Sequence, residues 1–366
     1  MPSLRRDFLK TAFLAAAAQT AKVHAATTKL GIPGPYPGRV VEVRDPRSIV
    51  SGAYQAEPVK AMMQKGMMEL TGAPSWDDAW KVFIEPGDVV GIKVSPVGGP
   101  TLSSDSIVLN QIIDGIKRAG VPAKNIIVFN RYAEELQAAH IDKWLPSGVR
   151  WIASSPAYSE NQLDMGGYDR DMFMEMAVIK PGDDPLDSHF RRSYVSKVVA
   201  QQVNKIINLP VLKHHQSAGV TICLKNLSHG CVNNVNRSHV NATANVCGIF
   251  IPSVVSLPVF RQKVVLHICD AVKASYHGGP PAKPQYVWEN KTMYFATDPV
   301  ALDKTGLKAI DAKRASAGMA SIELSKPDKD SHFLNCQPEH IELAGTLGLG
   351  VFDDEKIDVK KFTLST

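Results

Sequence analysis

Apolar strands and amphipathic helices alternate through the middle of the chain. Residues 89–94 (VVGIKV) form an apolar run, and residues 105–119 repeat apolar positions with helical spacing. Further strand patterns at 125–130 and 149–153 enclose a short helical pattern at 132–139. Strands that alternate with helices of this length pair in parallel, so the pattern predicts an α/β fold with a mostly parallel sheet and helices on both faces. Two lobes with the site between them are an alternative arrangement of these elements.

The second half of the chain continues this alternation with longer irregular stretches. Strands are predicted at 205–209, at 264–269 and at 292–296, and a helix at 300–310 with Asp298 as its N-cap. Residues 244–260 are apolar but contain two prolines, which predicts a buried segment without regular structure.

The first 25 residues have the pattern of an export signal. Arg5-Arg6 precedes Asp-Phe-Leu-Lys, a short weakly apolar run at 11–18 and small residues ending at Ala25. The paired arginines match a twin-arginine signal, which predicts recognition by the twin-arginine export machinery, cleavage after Ala25 and a periplasmic or secreted protein. An amphipathic first helix is the alternative interpretation. No later run reaches the roughly 18 apolar residues of a membrane helix, so no integral membrane segment is predicted in the mature chain.

Composition and charge narrow the class of protein. The 366 residues are 44% hydrophobic and 21% charged, which is ordinary for a globular protein with one large or two smaller domains. The net charge of +5 includes +3 from the first 25 residues, where four basic residues oppose one acidic residue. No basic stretch interleaved with aromatic residues follows, which argues against nucleic acid as a partner. The predicted segments are a signal peptide at 1–25, an N-terminal arm and helix at 26–82, an α/β domain at 83–350 and a C-terminal tail at 351–366.

The densest group of candidate site residues lies at 213–230 (KHHQSAGVTICLKNLSHG). Lys213 and Lys225 could bind an anion, and burial near another cation would turn either into a base by lowering its pKa. His214 could transfer protons near neutral pH. A helix over 220–227 would place Thr221 and Lys225 on one face. The alternative is a loop and a capped helix whose polar side chains face water.

Residues that follow the predicted strands complete the candidate site, because ligands of α/β sheets lie beyond the carboxyl ends of the strands. The predicted catalytic residues are Lys213, His214, Lys225 and Asp270. The predicted substrate-binding residues are Lys93, Arg131, Thr221, Asn226 and His277.

The sequence is compatible with a bound metal ion, and it indicates no other cofactor. The candidate metal ligands are His214, His215 and His229, although their spacing matches no familiar zinc pattern. The five cysteines are odd in number and lack Cys-x-x-Cys spacing, which argues against an iron–sulfur cluster.

In these residues the chain resembles the bacterial and archaeal family called domain of unknown function 362. The similarity covers roughly residues 83–350 and includes the segment 213–230, VVLHICDAV, the GGPP loop, ATDPVALD and LGLGV in the same order. It implies a single family domain whose signature positions here are Lys213, His214, Thr221, Lys225 and Asn226. Members with a ferredoxin-type module look like redox proteins, whereas this chain lacks the clustered cysteines that such a module needs.

Three functions are consistent with these observations. The first is an exported enzyme that acts on a small anionic substrate, in which lysines bind charge and His214 or Asp270 transfers protons. The second is a periplasmic metal- or cofactor-binding protein without catalysis of its own. The third is a non-catalytic ligand-binding partner of another exported protein. The sequence lacks G-x-G-x-x-G, P-loop, H-E-x-x-H and G-x-S-x-G motifs, which removes the main support for nicotinamide dehydrogenases, nucleotide hydrolases, zincins and α/β-hydrolases.

Overall fold

A ten-stranded sheet forms the centre of the protein in a computed structural model that describes residues 30–364. The predicted export signal therefore lies outside the described residues. In chain order the fourteen strands of the described residues are β1 Arg39–Arg44, β2 Ile49–Val50, β3 Ala53–Tyr54, β4 Val90–Lys93, β5 Ile126–Tyr132, β6 Arg150–Ser155, β7 Tyr168–Glu175, β8 Arg192–Ser196, β9 Lys205–Asn208, β10 Val211–His215, β11 Gly219–Thr221, β12 Val264–Ser275, β13 Val287–Ala296 and β14 Asp358–Thr363. Strands β2 and β3 form a separate two-stranded sheet, and β7 and β8 form another.

Helices connect these strands in the order that the apolar pattern indicated for the first half of the chain. They are α1 Ala56–Thr71, α2 Trp76–Lys81, α3 Ser106–Arg118, α4 Ala133–Ala138, α5 Ser188–Arg191, α6 Cys223–His229, α7 Cys247–Val255, α8 Pro258–Lys263, α9 Pro299–Ser316 and α10 His340–Thr346.

The sheet is mostly parallel at the side that carries the candidate site. Strands β12, β9, β4, β5 and β6 lie side by side in that order and run parallel. Strands β13 and β1 extend the other side in antiparallel pairings, and β14 pairs in parallel with β1. Strand β10 branches from β12 in parallel and forms a hairpin with β11. All the strands that carry site residues thus belong to one continuous sheet.

Apolar cores cover both faces of this sheet. Helices α1, α2 and α3 place Met63, Trp80 and Ile112 against one face. On the opposite face, α6 and α7 bury Leu224 and Phe250. The predicted α/β fold, with a mostly parallel sheet and helices on both faces, is confirmed.

The segments predicted to flank the domain also contribute to the sheet. Segment 26–82 supplies β1, and segment 351–366 supplies β14. Asp298 joins them, since its carboxylate accepts hydrogen bonds from the N–H groups of Gly38 and Val351. The same carboxylate accepts from Val300 and Ala301, which confirms Asp298 as the N-cap of α9. Within the described range, no helix is long and apolar enough to cross a bilayer.

Two of the predictions for the second half were wrong. Residues 244–260 form helices α7 and α8, and not an irregular segment. Burial around nearly the whole circumference of α7 removes the amphipathic pattern, and Pro258 lies in the first turn of α8, where a missing N–H is no loss. The strand predicted to end at residue 269 continues to Ser275, so Asp270 lies inside β12 and not at its end.

Candidate functional site

The β10–β11 hairpin places the first half of the segment 213–230 at the edge of the sheet. Lys213 pairs with Ser275 of β12 on one side and with Thr221 of β11 on the other. Gly219 has a φ of +85°, a conformation that a residue with a side chain adopts only with strain. Thr221 therefore belongs to a strand, and the prediction that it shares a helical face with Lys225 was wrong.

Helix α6 begins directly after this hairpin, and a carboxylate of α9 caps its N-terminus. Asp303 accepts hydrogen bonds from the N–H groups of Cys223 at 2.7 Å and Leu224 at 3.0 Å. All seven residues of the helix are buried. The cap fixes where Lys225, Asn226 and His229 enter the interior, and burial raises the pKa of Asp303 to about 7.

Lys93, at the end of β4, anchors the site through three hydrogen bonds. Its Nζ donates to Val94 O at 2.5 Å, to Asn130 Oδ1 at 2.9 Å and to Asn226 Oδ1 at 3.1 Å. These acceptors match the three donors of an ammonium group. Lys93 was predicted to bind substrate, but its donors are already used within the protein.

Asn226 extends this anchor to the neighbouring strand. Its Nδ2 donates to Asn208 Oδ1 at 2.8 Å, and Asn208 Nδ2 donates to Cys223 O and to His267 Nδ1, both at 3.1 Å. Asn226, predicted to orient a substrate, thus connects β4, β9 and α6. Gly230 leaves room for the arrangement, because a Cβ at this position would overlap Lys93 Cε and Nζ and the carbonyl oxygen of Asn226.

Two further lysines are buried beside this anchor. Burial, together with Lys225, lowers the pKa of Lys213 to about 7, and burial lowers the pKa of Lys225 to about 8. Lys213 donates to Val97 O. Lys225 is 7% exposed.

Arg131 completes a group of cations that we call the basic cluster, consisting of Arg131, Lys213 and Lys225. Its guanidinium carbon lies 4.4 Å from the centre of the Tyr132 ring. Its charge contributes to the lowered pKa of Lys225. Nε and Nη1 of Arg131 are buried, and neither has a hydrogen-bond partner within the described range. Thr221 Oγ1 is unpaired in the same way.

Glu135 is the carboxylate that partly balances the basic cluster. It raises the pKa of Lys93, Lys213 and Lys225, although for each of them the lowering by burial is larger. Its Oε2 accepts from Asn130 Nδ2 at 2.6 Å, so Glu135 is held behind the amide that binds Lys93. When Lys93 and the three cations of the basic cluster are all charged, the single carboxylate of Glu135 leaves the region with a net positive charge.

The histidines of the segment separate into two groups. His215 accepts at Nδ1 from the N–H groups of Ser217 and Ala218, which leaves the proton of the neutral ring on Nε2. Its ring lies 5.8 Å from that of His239, which in turn lies 5.3 Å from that of His229. Burial holds the pKa of all three well below the ordinary value, so they are neutral at physiological pH.

Ser238 contacts two of the three histidines in this group. Its hydroxyl donates to Val235 O at 2.7 Å and lies 3.0 Å from His229 Nε2 and 3.0 Å from His239 Nδ1. Cys247 Sγ lies 3.8 Å from the same oxygen. One atom from each of His229, His239 and Cys247 falls within 4.8 Å of the others.

His214 forms the second group with His277. The two rings lie 5.2 Å apart, and His277 accepts at Nδ1 from Arg314 Nη1 at 3.0 Å. Its Nε2 lies 2.9 Å from Asp328 Oδ2. His214 Nδ1 is buried without a partner in the described structure, and burial, Arg314 and His277 hold its pKa well below the ordinary value. The predicted metal ligands His214, His215 and His229 are therefore not brought together.

Asp270 lies on the face of the sheet that carries α1 and α3, since its strand neighbours Ile268 and Val272 belong to that core. Its carboxylate accepts from Tyr54 Oη at 3.0 Å and from Asp105 N at 3.1 Å. Burial raises its pKa to about 7. Among the described residues no lysine is hydrogen-bonded to this carboxylate, so the structure does not bring this predicted catalytic residue to the basic cluster.

A cavity of about 180 Å³ lies beyond the ends of β5 and β6. It is lined by Tyr132, Ser155, Pro156, Ala157, Ser159, Gln162, Asp164, Tyr168 and Asn233. Tyr132 forms its boundary with the basic cluster, because the guanidinium of Arg131 packs on this ring. Lys213 and Lys225 are not part of its wall. We place the candidate site at the basic cluster because the unpaired donors of Arg131 are there.

The family model described as domain of unknown function (DUF362) matches residues 90–308. The chain belongs to this family. The match includes strand β4 at its start, the whole segment 213–230 and α9 up to Lys308, so the anchor and the basic cluster lie within the DUF362 domain. This confirms the resemblance found in the sequence.

Other comparisons add little to the DUF362 assignment. A crystal structure of a Thermotoga maritima protein matches with a TM-score of 0.37 and 10% identity, over 76% of this chain and 62% of that one. The chain thus spans less than two thirds of that protein, and so low a TM-score carries no argument. No curated protein matches.

Several residues of the DUF362 site had no sequence signal that assigned their role. Asp303 caps α6 from 80 positions away, and Glu135 lies on a short helix after β5. The ring of His239 lies between those of His215 and His229. Only the density of polar residues after apolar strands pointed to this region.

We expect Asn226→Ala to lower the free energy of unfolding by about 2–4 kcal/mol. The substitution removes an acceptor from buried Lys93 and leaves Asn208 Oδ1 without its donor, and unmade buried hydrogen bonds cost about 1–3 kcal/mol each. Urea denaturation measures the change. Asn161→Ala, at an exposed position, is the matched control and should shift stability by less than about 0.5 kcal/mol. Equal effects in the two variants would contradict the anchor role of Asn226.

Proposed function

We propose that the basic cluster binds a small carboxylate or phosphate anion and that the protein is an enzyme acting on it. The observation that carries the proposal is the pair of buried guanidinium donors without acceptors, Arg131 Nε and Nη1, together with the two buried lysines Lys213 and Lys225. Buried polar groups are nearly always hydrogen-bonded, and buried charges are nearly always paired. A bound anion supplies the missing acceptors.

The charges around the cluster favour an anion over a neutral ligand. The charge of Lys225 lowers the pKa of Lys213, and the charge of Arg131 lowers the pKa of Lys225. Glu135 is already hydrogen-bonded to Asn130. A Coulomb interaction in this low-dielectric interior is several times stronger than in water, so an anion gains affinity from all three cations.

Lys213 is the residue that we propose for proton transfer. A general acid or base works best when its pKa lies near the operating pH, and the pKa of Lys213 is about 7. His214 has a pKa well below the ordinary value, and Asp270 lies on the other face of the sheet. The lysine therefore takes the part that the sequence assigned to either His214 or Asp270.

Metal binding is the second candidate function. Two imidazoles and a thiol around Ser238 are the ligand types that zinc prefers. Ligand atoms around tetrahedral zinc lie about 3.3–3.8 Å apart, so the 4.8 Å spread would have to shrink and Ser238 Oγ would have to move away. The nearby basic cluster also repels a divalent cation, which is why we place this function second.

We also propose that the protein acts outside the cytoplasm. The support is the twin-arginine pattern at Arg5-Arg6 with small residues before Ala25. An exported enzyme with a preformed anion site would meet its substrate in the periplasm.

Phosphate and malonate are expected to bind to the wild-type protein with an affinity that falls between about pH 6 and pH 9. An anion favours the ammonium form, and Lys213 and Lys225 lose their protons with pKa values of about 7 and 8. Titration calorimetry at several pH values measures this. Lys225→Met should weaken binding by about 30-fold or more, since breaking a buried charge pair costs about 2–5 kcal/mol. Lys60→Met, at an exposed position, should bind like the wild type. Affinity that is independent of pH and of Lys225 would contradict the proposal.

Lys225→Met is also expected to raise the melting temperature at pH 7. Burial lowers the pKa of Lys225 from 10.5 to about 8, so holding the charged ammonium costs the folded state on the order of 3 kcal/mol. This cost is fully present below about pH 8 and disappears as the pH rises toward the unfolded-state value of about 10.5. The stabilisation should therefore shrink at pH 10. A variant that is less stable than the wild type at pH 7 would show that the ammonium group of Lys225 does not destabilise the folded protein.

For the metal alternative, we expect cobalt(II) added to the protein to give a thiolate charge-transfer band if His229, His239 and Cys247 bind a metal. Cys247→Ser and His239→Ala should abolish the band, and His214→Ala should retain it, because His214 lies in the other histidine group. No band in the wild type, together with no metal by elemental analysis, would remove this candidate.

For export, residues 1–30 fused to a folded reporter are expected to deliver it to the periplasm of a bacterium with the twin-arginine pathway. Replacing Arg5 and Arg6 together by lysine should block delivery, whereas Lys10→Arg should not. Cell fractionation measures the distribution. Equal delivery by the double variant would rule out this route.

A further inference from the structure

We propose that the cavity beyond β5 and β6 binds the ring of a small aromatic carboxylate, whose acid group is held by Arg131. This inference rests on the proposed anion site and deepens it, because it names the class of anion and the part of the protein that selects it. The observations behind it are the position and size of the cavity, the chemistry of its wall, and the Tyr132 ring that the wall shares with Arg131.

The cavity lies where parallel α/β sheets bind their ligands. Tyr132 and Ser155 are the last residues of β5 and β6, they pair with each other, and both line the cavity. Ligands of such sheets bind in the crevice beyond the carboxyl ends of the strands. The cavity volume is about 180 Å³. A cavity of about 150 Å³ binds benzene, whereas drug-sized ligands need about 300 Å³ or more. One six-membered ring with a short side chain therefore fits.

Hydrogen bonds to helix α4 hold the wall of the cavity in place. Glu134 N donates to Pro156 O at 3.1 Å, and Glu134 Oε1 accepts from Tyr158 N at 2.7 Å. The ring of Tyr158 packs edge-on against that of Tyr132, with ring centres 6.0 Å apart. A preformed cavity of this kind avoids much of the ordering cost that ligand binding otherwise carries.

The amide side chains in the wall use their polar groups within the protein. Gln162 Oε1 accepts from the N–H groups of Val235 at 3.0 Å and Asn236 at 3.1 Å, and Gln162 Nε2 donates to Asn236 Oδ1 at 2.8 Å. Asn233 Oδ1 accepts from Tyr194 N at 2.7 Å. Because these groups already have partners, the wall favours an apolar part of a ligand over a polar one.

Two buried tyrosines make an aromatic ring the best match for this wall. Tyr132 and Tyr168 both line the cavity. The hydroxyl of Tyr168 lies 3.3 Å from Ser155 Oγ, which lies 3.2 Å from Asp164 Oδ2, so this hydroxyl has its partner within the wall. Aromatic rings attract one another in offset or edge-to-face packing, beyond the effect of burying their area. The cavity should therefore prefer an aromatic ring to a saturated ring of the same size.

Arg131 supplies the positive charge beside this wall. Its guanidinium carbon lies 4.4 Å from the centre of the Tyr132 ring, and its Nε and Nη1 have no hydrogen-bond partner among the residues that the structure describes. Even a ligand atom on the opposite face of this ring, at a contact distance of about 4 Å, lies only about 8 Å from that carbon. A ring with one or two methylene groups before its carboxylate spans this separation, because the hydrogen bond itself adds about 3 Å.

Titration calorimetry on the full chain with a series of carboxylates tests the ligand class. The probes are acetate, phenylacetate, 3-phenylpropionate and cyclohexylacetate. We expect the two phenyl acids to bind about 30-fold or more tightly than acetate, because burial of a ring this large is worth such a factor. Cyclohexylacetate should bind roughly 2- to 10-fold more weakly than phenylacetate, since it lacks the aromatic contacts.

Ala157→Trp tests whether the cavity is the origin of this preference. Ala157 lines the cavity from an exposed loop position, so a larger side chain there fills the cavity without entering the core. The variant should lose the preference for phenylacetate over acetate and keep phosphate binding. Ala312→Trp, at an exposed position of α9 outside the cavity wall, is the matched control and should keep both. Melting curves show that each variant is folded.

Arg131→Met tests the acid-binding part of the assignment. The variant should bind phenylacetate about 30-fold more weakly, because it removes one member of a charge pair, and should bind the neutral 2-phenylethanol like the wild type. Unchanged binding of phenylacetate in this variant would overturn the role of Arg131.

The possible results separate this inference from the proposed function. Equal affinities for acetate and phenylacetate, in protein that binds phosphate with the expected pH dependence, would overturn the aromatic carboxylate and leave the anion site standing. Equal affinities for cyclohexylacetate and phenylacetate would overturn the preference for an aromatic ring. A preference for phenylacetate that survives in Ala157→Trp would overturn the cavity as its origin. Absence of binding by phosphate and by every carboxylate would overturn both proposals.

Discussion

The hydrogen bonds that join Lys93, Asn226 and Asn208 determine the position of the whole site. They connect β4, β9 and α6, three elements that are far apart in sequence, through buried side chains with every donor and acceptor used. Such a network is rigid because breaking any one bond leaves a desolvated group. Asp303 fixes the start of α6 in the same manner. Lys225 enters the interior at a defined point because its helix is held at the start by Asp303 and in the middle through Asn226.

That rigidity explains how the fold keeps cations in its interior. A buried ammonium group is destabilising unless it is paired, and for Lys93 the protein supplies the partners itself. It supplies one for Lys213. The surrounding core, formed by Leu224, Phe250 and their neighbours, must offset the remaining cost. Sites that sacrifice stability in this way are typical of function, since the low dielectric that penalises the free cation also strengthens its interaction with a ligand.

The apolar pattern was sufficient to predict β4, α3, β5 and the Asp298 cap, because each depends on local spacing. It also located the site, since the lysines follow apolar strands. It could not assign roles within the site. The length of β12 decides whether Asp270 lies inside the strand or at its end, and β12 pairs with β13 along this length. Asp303 acts on α6 across 80 residues, and no local pattern contains such a contact.

The structure reverses the usual assignment of lysine and histidine. Histidine ordinarily titrates near neutral pH and lysine far above it. Here burial favours the uncharged form of both, which takes the histidines out of the physiological range and brings Lys213 into it. The histidines then serve as neutral hydrogen-bonding groups, as His215 does at Nδ1. The lysines become the groups that can exchange a proton with a ligand. The chemistry of this site therefore depends more on the burial of its side chains away from water than on their residue types.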